Sequence, residues 1–131
     1  MDRPGYFFEP TVLADVPAGA RVMGEEPFGP LAIINPVDSL DEAIAQANAV
    51  PFGLAAYGFT HSAARADRMM EEVECGNFSI NTLEASLPET PFGGVKSSGY
   101  GREGGSEGLH HYMTVKNVSH FMQIDSAPAR T

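Results

Sequence analysis

The most regular hydrophobic pattern begins at Leu31, where Leu31-Ala32-Ile33-Ile34 forms a compact apolar run closed by Pro30 and Pro36. A run of that length between prolines predicts a buried strand. Ser39 then stands three residues ahead of Glu42 as in a capping box, and Leu40, Ala43, Ile44 and Ala47 recur on one helical face. Those positions predict a helix from Leu40 to Asn48. Leu54 to Thr60 reads as a second strand, weakened at Gly58. Ser62 is a suitable N-cap for a second helix, whose apolar positions Ala63, Ala66, Met69, Met70 and Val73 hold the 3.6-residue period until Gly76 stops it. Asn77 to Asn81 is the third strand. Strand, helix, strand, helix, strand with short connections makes a βαβαβ unit of the α/β class, which implies parallel strands joined by right-handed crossovers.

Outside this unit the pattern is weaker. Thr11-Val12-Leu13 is β-prone, and Pro17 to Met23 reads as a turn or a short helix. After Asn81 a loop rich in glycine, serine and proline runs to about Gly105. Leu109 and Tyr112, three apart, suggest a short helix, and the alternation Val115, Asn117, Val118, Ser119, Phe121 suggests a terminal strand. The expected organisation is a main unit over 1–113, a strand over 114–124 and a mobile tail over 125–131.

Length and charge narrow the possibilities. At 131 residues the chain is one small domain, or part of one, and cannot hold separate dinucleotide and substrate domains. An apolar share of 43% argues for a packed chain, and a net charge of −9 argues against nucleic acid or an anionic membrane as partner. No stretch approaches the roughly 20 apolar residues of a membrane span, and no basic start precedes an apolar core, so the cytoplasm is the expected location. One cysteine, Cys75, excludes an internal disulfide. Among His61, His110, His111 and His120 the adjacent pair faces different ways, and no acid or cysteine at ligand spacing completes a metal site.

Gly99-Tyr100-Gly101-Arg102-Glu103-Gly104 fits the G-x-G-x-x-G spacing of dinucleotide-binding folds. That chemistry requires a strand just before the glycines and a full helix just after, so that the helix N-terminus faces a pyrophosphate. Here a loop precedes them, so a tight backbone path near an active site is the better expectation.

The run Pro91-Phe92-Gly93-Gly94-Val95-Lys96-Ser97-Ser98-Gly99-Tyr100-Gly101-Arg102-Glu103-Gly104 resembles the closing signature of the NAD(P)-dependent aldehyde dehydrogenases. Glu25-Glu26-Pro27-Phe28-Gly29-Pro30 and Gly5-Tyr6-Phe7-Phe8-Glu9-Pro10-Thr11-Val12 match the same family upstream, in order. The resemblance extends from about Gly5 to His120 and implies the C-terminal part of the catalytic domain, followed by an oligomerisation strand. It further implies oxidation of an aldehyde to a carboxylic acid with NAD or NADP, in a homo-oligomer, dimer or tetramer.

Carried over residue by residue, the resemblance makes Glu26 the holder of the nicotinamide-side ribose and Phe28 a wall of the nicotinamide pocket. A carboxylate can accept hydrogen bonds from both ribose hydroxyls, which suits the role. Phe92 would stand beside the aldehyde entrance, and the loop Thr82 to Thr90 would shape the acyl pocket. Many family members place an aromatic near the middle of that loop. This chain has Ser86, whose hydroxyl suits a polar or carboxylate-bearing aldehyde, and the loop is similar to that of succinate-semialdehyde dehydrogenases. The family's nucleophilic cysteine and general-base glutamate precede the matched region, so Cys75 is expected to be a small, semi-buried thiol and the chain alone to be inactive. The competing expectation is a truncated, non-catalytic module that associates with a full-length subunit.

Overall fold

Helix caps and prolines divide the chain much as the pattern predicts. The structure, a computed structural model, describes residues 4–122. In chain order these form β1 (Thr11–Ala14), α1 (Arg21–Gly24), β2 (Leu31–Ile34), α2 (Leu40–Asn48), β3 (Phe52–Gly53), β4 (Ala55–Gly58), α3 (Ala63–Glu72), β5 (Asn77–Ile80), β6 (Val95–Lys96) and α4 (Glu107–His110).

The α/β class and the parallel strands are as expected. β1 pairs in parallel with β2, in the register Thr11 to Leu31, and β4 pairs in parallel with β5, in the register Ala55 to Asn77. The βαβαβ reading needs one correction. Among the described residues β2 and β4 share no ladder, so the unit is split into two parallel pairs with α2 crossing between them. Chain pattern gives the order of strands but does not name their lateral neighbours. A third pair joins β3 and β6 in antiparallel register, Phe52 to Lys96 and Gly53 to Val95.

Local chemistry explains the helices. The Ser39 hydroxyl accepts from Glu42 N at 3.1 Å, and the Glu42 carboxylate accepts in return from Asp38 N at 2.9 Å, one residue earlier than a standard capping box would place it. Ser62 caps α3 by accepting from Arg65 N at 3.4 Å. That helix ends at Glu72, ahead of Gly76, because Val73 turns to extended backbone at φ −83° and ψ 121°. Arg68 of α3 reaches Asp41 of α2 at 2.7 Å and Glu72 at 2.8 Å, exposed pairs that orient the two helices but add little stability. Gly58 has a packing reason: a Cβ there would meet Met69 Cε at 2.9 Å and Phe78 Cε1 at 3.1 Å, so its bare Cα lets α3 lie close on the β4–β5 pair.

The C-terminal end of the chain differs from expectation. Leu109 lies in α4, but Tyr112 falls beyond its last turn. Residues 114–122 form no strand, although they alternate as one would. Alternation permits a strand; only a neighbouring edge with free N–H and C=O groups makes one, and none lies against this segment among the described residues. The rest of the expected strand and the tail, from 123 onward, lie outside the described residues.

The core is thin. Ile44 is the one buried hydrophobic side chain among the described residues, and Ser79 the one buried polar one. Phe28, Tyr100, Tyr112, Val115 and Phe121 are all exposed. The chain keeps 10982 Å² accessible, whereas surface scaling gives roughly 6,700 Å² for a folded monomer of its mass. Large apolar side chains of the described residues are therefore left open to solvent.

Candidate functional site

Two loops carry the residues singled out in the sequence, and they line different pockets. The first loop joins α1 to β2. Within it the Arg21 guanidinium grips Glu25 at 2.8 and 3.0 Å and holds that carboxyl below its usual range. Glu26 is left exposed, with no hydrogen-bond or ion-pair partner among the described residues. Phe28 is 93% exposed, and it helps line a pocket of ≈ 360 Å³ with Phe8, Pro27, Pro30 and Leu31. An unengaged carboxylate can accept hydrogen bonds from neighbouring hydroxyls, and an open aromatic face two residues on can pack against a flat group.

The second loop follows β5. Its entry is fixed by Ser79, whose buried hydroxyl donates to Glu84 O at 2.8 Å. Ser86, two residues further, is exposed and has no hydrogen-bond partner among the described residues. Phe92 forms an antiparallel bridge with Glu103, their amides and carbonyls exchanging bonds of 2.7 and 2.8 Å. It lines a pocket of ≈ 370 Å³ with Leu54, Arg102, Glu103 and His111.

The glycine run is held from several sides. Asn77 Nδ2 donates to Gly93 O and to Leu54 O, each at 2.9 Å. Arg102 Nη1 donates to Gly94 O at 2.8 Å, while its backbone N–H donates to His111 Nε2 at 3.2 Å. Gly76 allows this closeness, since a Cβ there would lie 1.7 Å from Gly93 O. The G-x-G-x-x-G spacing is not a phosphate cradle: only the two-residue β6 precedes it, and α4, four residues long, starts three residues past Gly104. Arg102 and Lys96, which sequence reasoning passed over, are the only cations in the run from Pro91 to Gly104. That was the available signal.

Cys75 lies beyond the end of α3, so the helix dipole is not what governs it. Burial pushes its thiol up, outweighing hydrogen bonds with the backbone of Asn77 and Ala56 that act the other way. The sulfhydryl donates to Asn77 O at 3.1 Å. Cys75 is thus a semi-buried thiol whose surroundings disfavour the thiolate. No cluster of metal-ligating side chains occurs among the described residues, and no helix among them is long and apolar enough to cross a membrane.

The aldehyde dehydrogenase family model matches residues 1–118. The chain belongs to the aldehyde dehydrogenase family. It is similar to the 4-(hydroxymethyl)benzenesulfonate dehydrogenase TsaD1 of Comamonas testosteroni, 55% identical over 86% of this chain and 24% of that protein. A succinate-semialdehyde dehydrogenase of Paenarthrobacter nicotinovorans is 47% identical over 90% of this chain and 26% of the relative. Among solved structures, an NADP dependent enzyme of E. coli superposes with a TM-score of 0.81 at 47% identity, covering 88% of this chain and 24% of that one. The chain thus spans about a quarter of the length of these family members.

Proposed function

We propose that this chain supplies the C-terminal part of the catalytic domain of an NAD(P)-dependent aldehyde dehydrogenase, which oxidises an aldehyde to a carboxylic acid. The observation that carries the reading is an unengaged Glu26 carboxylate two residues ahead of the exposed, pocket-lining Phe28 ring, within a chain of this family. NAD or NADP, when bound, accepts the hydride. Glu26 holds the nicotinamide-side ribose by accepting from its hydroxyls, and Phe28 walls the ring. Phe92 stands at the aldehyde entrance and Ser86 in the acyl pocket, where its free hydroxyl donates to an anionic or polar end of the substrate. The similarity to one relative named for a sulfonate-bearing substrate and another named for a carboxylate-bearing one supports an anionic aldehyde.

In this reading the chain is part of a soluble cytoplasmic homo-oligomer, and the described segment from 114 to 122 becomes a strand by adding to the edge of a neighbouring subunit. A second reading keeps the same contacts without catalysis by this copy: the chain docks on a full-length subunit as a non-catalytic module. The extent of uncovered apolar surface favours partners in either case.

The test is a chimera in which this sequence replaces the matching stretch of the Comamonas testosteroni dehydrogenase. Aldehyde-dependent NAD(P)H formation is expected. Within that chimera Glu26→Gln should raise cofactor KM or lower the hydride-transfer rate roughly 10- to 100-fold, since a hydrogen bond to a charged group is lost. A soluble chimera without activity, or unchanged kinetics for Glu26→Gln, would defeat the proposal.

A further inference from the structure

Lys96 combines two features that a loop residue seldom shows together. Its backbone sits at φ 53°, in the left-handed region that non-glycine residues avoid, and its ammonium is engaged on all sides. Lys96 Nζ donates to Asn48 O at 3.0 Å and to Val50 O at 3.2 Å, and it forms an ion pair with Glu74. Three N–H donors therefore meet three acceptors. One of those acceptors is the carbonyl of Asn48, the last residue of α2, where a cation also suits the helix dipole, and another, Val50 O, follows two residues beyond it.

The acceptors are fixed in their turn. Asn48 Nδ2 donates to Glu72 O at 2.7 Å, and Asn48 Oδ1 accepts from Glu74 N at 2.8 Å, so the ends of α2 and α3 are tied together under the ammonium. On the other side, Lys96 belongs to β6, two residues after Gly94. Ser97 N donates to Pro51 O at 2.9 Å, and Gly53 N donates to Ser98 Oγ at 2.9 Å, pinning the turn to the segment after α2. Arg102 and Asn77 hold the preceding carbonyls of Gly94 and Gly93.

We propose that Lys96 is a positioning residue: by fastening the β6 turn to the joined ends of α2 and α3, it fixes the Phe92–Gly94 segment, and so the aldehyde entrance, at its working distance from the rest of the catalytic domain. The functional half of this statement rests on Phe92 lying at that entrance. The structural half does not. Lys96 does not touch the substrate; its effect passes through the backbone of Gly94, Gly93 and Phe92.

The experiment compares Lys96→Met and Lys96→Arg with the parent chimera. Lys96→Met keeps the stem and removes the charge and donors. Hydrogen exchange read on peptides covering 92–99 should speed up by about 10-fold or more in Lys96→Met, with β4 and β5 unchanged in the same sample and Lys96→Arg partly restored. Kinetically, Lys96→Met should raise aldehyde KM about 10-fold or more while cofactor KM stays as it was, because a small misplacement of a positioning segment is costly. Equal loss of protection across all strands would make Lys96 a general stability residue and overturn the proposal, as would unchanged exchange at 92–99. A local exchange effect with unchanged aldehyde KM would overturn the functional half and, with it, the placement of Phe92. An inactive parent chimera would refute the proposed function, while the exchange result would still decide whether Lys96 holds the turn.

Discussion

Adding one methyl group at Gly76 should dislocate the aldehyde-side loop. The Cβ of Gly76→Ala would lie 1.7 Å from Gly93 O, 2.7 Å from Gly93 C and 3.0 Å from Gly94 Cα, all backbone atoms that no rotamer change can withdraw. Ordinary contact begins at 3.4 Å, so the Gly93 carbonyl must retreat by about 1.7 Å or the strand must bend by as much. Such a retreat breaks the bond from Asn77 Nδ2 to Gly93 O, worth about 1 kcal/mol, and forcing the backbone apart adds about 1–3 kcal/mol. The expected loss is about 2–4 kcal/mol. With a urea dependence of about 1–3 kcal/mol per molar, the unfolding midpoint should fall by roughly 0.7–4 M. In the active chimera aldehyde KM should rise with it, as Gly93 adjoins Phe92. A midpoint within about 0.3 M of the parent would mean that Gly76 and Gly93 are not in this contact, and the account of the loop as packed backbone would fail.

Ser86→Ala should raise KM for succinate semialdehyde about 3- to 10-fold and leave an uncharged aldehyde of similar size unaffected, the loss expected for one hydroxyl donor; equal effects on both would remove the argument for an anionic substrate. Because burial raises the Cys75 thiol, iodoacetamide should alkylate it more slowly than free cysteine at the same pH, with the gap closing as pH rises past the ordinary thiol range. Faster alkylation than free cysteine would show an activated thiolate instead. On the proposed reading the 131-residue chain by itself should give no NAD(P)H from any aldehyde, since burial disfavours the thiolate of its single cysteine; measurable turnover by the purified chain would contradict this.

Elements with local causes were legible in the sequence. α2 has the predicted bounds because Ser39 and Glu42 cap its start and its apolar period spans its length. The β4–α3–β5 unit was equally plain. β3 was missed: Phe52 and Gly53 are too few to show a period, and their partner lies more than forty residues away, at Val95 and Lys96. The terminal strand forms no ladder among the described residues for the opposite reason, as Val115 to Phe121 alternate without a described edge to join. At the site, Glu26, Phe28, Ser86 and Phe92 came from motif resemblance, which names residue types at fixed spacings. The sequence marked Lys96 and Arg102 only as the cations of the glycine run; it did not name what they brace, because most of their acceptors are main-chain carbonyls and every residue offers one.

The thin core also bears on the life of this polypeptide in a cell. Chaperones and proteases recognise exposed apolar segments such as the one carrying Tyr112, Val115, Val118 and Phe121. A copy whose apolar faces remain bare would be sorted with unfolded chains however well its helices and strands have formed. Its abundance would then follow the supply of protein able to cover those faces, so its turnover rate would report on assembly more directly than any melting temperature.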